Sequence, residues 1–177
     1  KSNFKLEIFL NKSLILTGMM GVGKSTIGKE LSKKLKFKFI DIDKVIEKKE
    51  NSSISKIFRI KGENYFRKIE ENLTLKILRE KESVISLGGG AFLNPKIRRE
   101  VLKNTVSFWL DVSVKSLLIR VSRNKRRPLL EGDLKKNLHS IYFKRKDIYR
   151  LADFRVDCDK LNKLEIVKKI LRKYEKT

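Results

Sequence analysis

Nine residues near the start of the chain, Gly18 to Thr26 (GMMGVGKST), restrict its fold more than any other stretch. They satisfy G-x-x-x-x-G-K-[ST] in full, a spacing that works only where a buried strand delivers the loop and a helix leaves it. Both neighbours are legible. The apolar run Ser13 to Leu16 comes before, and Ile27, Leu31 and Leu35 recur every fourth residue after it, forming one stripe of a helix over Thr26 to Leu35. In such a loop the backbone around Gly21, Val22 and Gly23 converges on phosphate oxygens, and the helix start at Ser25 and Thr26 adds its dipole. Lys24 reaches the β and γ phosphates, and the Ser25 hydroxyl suits Mg²⁺. The expected ligand is a nucleoside triphosphate, ATP or GTP, with magnesium.

The rest of the chain repeats the alternation of short apolar run and helical stretch that marks βαβ units around a parallel sheet, so an α/β fold is expected. Further strands are read at Lys36 to Ile40, Ser83 to Leu87, Thr105 to Leu110 and Phe154 to Val156, and a final helix carries Val167, Ile170, Leu171 and Tyr174 on one face. Two regions interrupt the alternation. Residues 44 to 81 read as helices with no strand among them, an insertion able to wall a pocket above the sheet's carboxyl edge. The basic, turn-prone RNKRRPLLEGDLKK reads as a flap. A length of 177 residues fits one domain spanning 1–177.

Asp41 and Asp43 close the second apolar run. If extended geometry persists they share a face about 7 Å apart, wide enough for two tasks. Asp41, nearer the strand, suits Mg²⁺ through water; Asp43 suits the hydroxyls of an acceptor, or simply caps the helix that follows. Behind the third strand stand Gly88, Gly89 and Gly90, three residues without Cβ that let backbone N–H groups approach a ligand. No run of four apolar residues ending in Asp occurs there, which leaves the metal to Asp41. Arg67 lies three residues before Glu70 on a helix, where an ion pair would hold its guanidinium, and Arg150 follows a second helical stretch. Together the two arginines suit a carboxylate on the acceptor.

Composition narrows the remaining classes. Lys and Arg number 44 against 21 Asp and Glu, a formal charge of +23 that would fit a nucleic-acid binder. The surplus, however, is mostly Lys spread over polar helix faces, with no basic tail and no aromatic-interleaved strand pair, so no nucleic-acid partner is expected. One Cys and one His leave neither a disulfide nor a zinc cluster, and no apolar run is long enough to span a bilayer. A cytoplasmic protein with no membrane partner is expected.

GMMGVGKST, FIDIDKVIE, IFRIKGENYFRKIEE, SLGGGA, RRPLL and IYR stand in the order and spacing of shikimate kinases, and the chain resembles that family from Leu14 to its last helix. The resemblance implies a nucleoside-monophosphate-kinase-like, three-layer α/β/α fold with a five-stranded parallel sheet in the order 2-3-1-4-5. It also implies a substrate-binding helical region at about 43–81, a lid at about 123–135, and a monomer. The implied reaction moves the γ-phosphoryl group of ATP to the 3-hydroxyl of shikimate, in aromatic amino acid biosynthesis. By position, Asp43 binds the shikimate hydroxyls, Arg67, Gly89 (between Gly88 and Gly90) and Arg150 bind ring substituents and carboxylate, and Phe58 and Phe66 line the pocket. Arg127 becomes the lid arginine at the phosphates and Arg120 the one against adenine, so that Lys24, Asp43 and Arg127 form the catalytic set. Ile42 and Lys163 depart from residues common in the family. Rival readings are a kinase of gluconate or of a nucleoside monophosphate, and a P-loop nucleic-acid-binding protein. The last would leave the paired aspartates and Arg67–Glu70 without a task.

Overall fold

The computed structural model describes residues 12–122 and 133–177, with the side chains of residues 121 and 122 excepted. Five strands form one sheet: β1 (Leu14–Thr17), β2 (Lys38–Asp41), β3 (Ser83–Ser86), β4 (Val106–Asp111) and β5 (Phe154–Asp157). Their order is β2-β3-β1-β4-β5 and every pairing is parallel, as the resemblance implied. The centre of the sheet explains the sequence pattern. β1, β3 and β4 are buried at every position, which is why they read as unbroken runs, whereas the edge strands β2 and β5 expose residues. Leu16 lies opposite Ser86 on one side and Phe108 on the other, so the tips of β1 and β3 reach the carboxyl edge together.

Among the described residues seven helices flank the sheet: α1 (Lys24–Leu35), α2 (Ile42–Glu50), α3 (Ile54–Ile77), α4 (Pro95–Asn104), α5 (Val114–Ser122), α6 (Leu134–Tyr149) and α7 (Lys163–Tyr174). A short 3-10 turn covers Ala91–Leu93. Local chemistry sets their ends. α1 stops at Lys36, which takes the left-handed conformation at φ 58°, and this moves the start of β2 two residues beyond its expected place. Asn94 caps α4 ahead of Pro95, and Asn162 with Glu165 closes a reciprocal capping box at α7. One core joins both faces of the sheet, with Trp109, Tyr149, Phe92 and Phe108 among its largest fully buried side chains. Each aliphatic side chain buried there contributes about 1.5–3 kcal/mol.

The helical insertion is two helices, and the second is broken. Gly62 sits at φ 82° and ψ 166° inside α3, a backbone region essentially closed to residues with a side chain. Residues eight apart on a straight helix rise about 12 Å from one another. Here Phe58 and Phe66 flank the break, and their ring centroids are 4.7 Å apart.

Candidate active site

The loop from Gly18 to Lys24 leaves β1 and enters α1 through Gly23, which adopts φ 99° and has no side chain with which to cap the helix. A helix start that no side chain caps suits an anion. The Lys24 ammonium lies in the hollow of the loop, donating to the carbonyls of Gly18 and Met19 at 2.9 Å each. Arg120, at the end of α5, donates to the Val22 carbonyl at 3.1 Å and so borders the same loop. Arg127 and most of the 123–135 segment fall outside the described residues.

β2 ends at Asp41, one residue before α2 begins, so the expected extended pair does not form. Asp41 is the helix cap: its Oδ1 accepts from the Lys44 N–H at 3.3 Å, and its Oδ2 accepts from the Ser25 hydroxyl. Asp43 stands in the first turn of α2, projecting into the cleft from a helix rather than a strand. The hydroxyl of Ser25 and the carboxylate of Asp41 are hard oxygen donors in direct contact at the phosphate loop, and such a pair fits Mg²⁺, which binds one or two protein oxygens and keeps its waters. Among the described residues no cluster of three or more Asp, Glu, His or Cys offers an alternative metal site.

A cleft of about 1140 Å³ runs from Ser25 and Asp41 past Asp43 to Phe58, Phe66, Arg67, Glu70 and Arg145. Arg67 is braced from two sides. Its Nη1 donates to Glu70 at 2.7 Å, its Nη2 and Nε donate to Glu63 at 3.1 and 3.2 Å, and its guanidinium lies 5.1 Å from the Phe66 ring centroid and 6.0 Å from that of Phe58. The break at Gly62 thus shapes one aromatic wall and seats a cation against it. Glu70 is 2% exposed, and burial raises its pKa above the ordinary carboxylate value against the opposing pull of Arg67, with the charge of Asp43 pushing further upward. Its Oε1 is buried and has no hydrogen-bond partner among the described residues.

The three glycines serve a purpose that spacing did not reveal. None takes a positive φ; what they provide is room. A Cβ on Gly88 would lie 2.6 Å from Glu70 Oε1 and 2.8 Å from Asp43 Oδ1, and one on Gly90 would lie 2.5 and 2.7 Å from the Arg67 guanidinium nitrogens. Side chains of the helical insertion occupy the space that side chains on this loop would fill. Gly89 is packed more loosely, with Met20 N at 3.4 Å from the same hypothetical atom, so this loop and the phosphate loop touch.

The arginine that α6 brings to the cleft is Arg145, not Arg150. Arg145 lines the cleft and donates to the Gly89 carbonyl at 3.1 Å, whereas Arg150 ends the helix, 57% exposed and paired with Asp147 at 3.2 Å. Helical period explains the difference. Leu138, Tyr142, Arg145 and Tyr149 recur at intervals of four, three and four, and Leu138 and Tyr149 are fully buried, so Arg145 belongs to the inward stripe while Arg150 is turned away by one residue. That stripe is readable from sequence and was the missed signal.

A phosphate loop at the tip of the central strand of a 2-3-1-4-5 sheet, opening on a polar cleft, defines a P-loop phosphotransferase acting on a small molecule. Residues 20–175 match the shikimate kinase family. A shikimate kinase of Sulfurihydrogenibium sp. (strain YO3AOP1) is 42% identical over 93% of this chain and 99% of its own length, and one of Persephonella marina is 39% identical over 90% and 97%. Among solved structures, the shikimate kinase from Acinetobacter baumannii in complex with shikimate superposes with a TM-score of 0.89 at 29% identity, over 94% of this chain and 95% of that one. A gluconokinase from Sinorhizobium meliloti, at 17% identity and a TM-score of 0.54, shares the fold alone. The chain belongs to the shikimate kinase family, and it is an ATP-dependent kinase. Among the described residues no helix is long and apolar enough to cross a membrane.

Proposed function

We propose that this chain transfers the γ-phosphoryl group of ATP to the 3-hydroxyl of shikimate, giving shikimate 3-phosphate and ADP, with Mg²⁺ held at Ser25 and Asp41. One observation carries the reading: the Ser25–Asp41 contact and the Asp43, Arg67 and Arg145 side chains line a single cleft. Shikimate is a ring with one carboxylate and three hydroxyls, and the acceptor end of the cleft offers a complement to each. Arg67 and Arg145 suit the carboxylate, Asp43 suits the hydroxyls, and Phe58 and Phe66 suit the ring face.

Phosphoryl transfer through a loose transition state asks for alignment and charge stabilisation more than for a strong base. Lys24 sits where its ammonium can leave the loop carbonyls for phosphate oxygens. When bound, Mg²⁺ supplies positive charge to the phosphates. Asp43 orients the attacking hydroxyl and takes its proton late in the transfer. Arg127 and the 123–135 segment complete the set as the residues expected to reach the phosphates and exclude water. Gly21, Val22, Gly23 and Thr26 contribute backbone to the phosphate site, and Arg120 borders it from the nucleotide side.

A coupled ADP-release assay with shikimate, gluconate and AMP as acceptors tests the reading. Turnover with shikimate at least a hundredfold above the other two is expected, and comparable turnover with gluconate or AMP would replace shikimate as the acceptor.

A further inference from the structure

Among the described residues Tyr149 is one of the largest fully buried side chains, it carries a hydroxyl, and nothing in the phosphate chemistry uses it. Its ring packs against Trp109, with centroids 6.0 Å apart. Its hydroxyl donates to the Gly89 carbonyl in the triple-glycine loop and lies 3.9 Å from the sulfur of Met19 in the phosphate loop. Arg145, four residues earlier on α6, donates to the same carbonyl. The two substrate loops meet at this point, and one buried phenol touches both.

The Gly89 carbonyl and the Gly90 N–H belong to one planar trans peptide and point in opposite directions. Holding the carbonyl toward the core therefore aims the N–H the other way, and Gly90 borders the cleft. Glycines on both sides make this peptide free to rotate unless something holds it. We propose that Tyr149 is a positioning residue for the acceptor: its hydroxyl fixes the Gly89–Gly90 peptide so that the Gly90 N–H faces the acceptor end of the cleft, in register with the phosphate loop. Burial raises the phenol pKa, with Arg145 opposing, so the hydroxyl remains a donor at neutral pH. The inference rests on the acceptor reading of the cleft given above.

Tyr149→Phe removes one oxygen and keeps the ring against Trp109. The shikimate KM is expected to rise about tenfold while the ATP KM stays within about twofold, a split that general loosening of the fold would not produce. A parent-like shikimate KM, or shikimate and ATP KM values rising together, would overturn the proposal. Two measurements without substrate stand apart from activity. In the parent, NMR should find a slowly exchanging Tyr149 hydroxyl proton with cross-peaks to Gly89 and Gly90; a freely exchanging hydroxyl refutes the bond even if the variant fails to fold. In the variant, the Gly90 amide should exchange faster than in the parent, and unchanged exchange refutes the positioning. A parent inactive on shikimate would sink the acceptor assignment, and these two measurements would still decide the role of Tyr149 at the loop.

Discussion

The two halves of the cleft are made in different ways. The nucleotide half is nearly all contiguous chain: Gly18 to Thr26, with backbone N–H groups, one lysine and a helix start, bordered by Arg120. The acceptor half is collected from α2, α3, the glycine loop and α6, with Arg67 fixed by Glu70 one turn on and Arg145 by the Gly89 carbonyl. A local motif keeps its geometry wherever the strand and helix form, whereas an assembled site depends on several elements docking in register. Substitutions in the acceptor half should therefore disturb shikimate and leave ATP nearly untouched.

The hardest test of that division is Asp43→Ala. Turnover should fall by about a thousandfold with the ATP KM within about twofold of the parent, and steady-state kinetics retaining near-normal kcat would remove the proposed base. Next comes Arg67→Lys, which keeps the charge but cannot reproduce the fork shared between Glu63, Glu70 and a carboxylate. The shikimate KM should rise roughly 10- to 100-fold, again without change for ATP. Comparing Arg145→Ala with Arg150→Ala sharpens the picture further. The first should raise the shikimate KM by about tenfold or more, and the second should stay within about twofold, because its guanidinium is exposed beside Asp147. Equal effects would mean that α6 presents a different face to the cleft.

Legibility followed the same divide. Residues 18 to 26 could be read because their neighbours in sequence are their neighbours in space. The strand order came with the family likeness, since spacing alone does not order parallel strands. The IYR match points to Arg150, whereas the inward stripe ending at Tyr149 selects Arg145. The paired aspartates read as one strand face because the chain turns helical only at Ile42, and the cap at Asp41 becomes visible only where the Lys44 N–H needs an acceptor. The reason for three glycines could not be read at all. It lies in Asp43, Glu70 and Arg67, which arrive from other elements to fill the space.

Smaller effects probe the buried acid and the lone thiol. The folded-state pKa of Glu70 is raised, so from the unfolded value near 4.5 up to the folded value the unfolded chain releases its proton first, and stability falls as pH rises through that window. Glu70→Gln should therefore gain in melting midpoint relative to the parent as pH rises above the unfolded value, a trend that thermal melts at a series of pH values would show or deny. Cys158 is fully buried and its thiol is pushed up to about 12, chiefly by burial. It should resist a disulfide reagent at pH 8 until denaturant is added.

The break at Gly62 makes length, as well as residue type, a constraint on the acceptor wall. Each residue inserted into a helix swings everything beyond it by about 100°, so one extra residue between Ser53 and Gly62, or between Gly62 and Arg67, would rotate Phe58 or Arg67 out of the wall even if every side chain were kept. Exposed positions of this segment that make no contact with the wall, such as Ile60 at 63% exposure, can drift in composition, but its two arms can neither grow nor shrink by a residue. Single-residue insertions along it should act as a caliper, abolishing acceptor selectivity where surface substitutions at the same sites leave it intact.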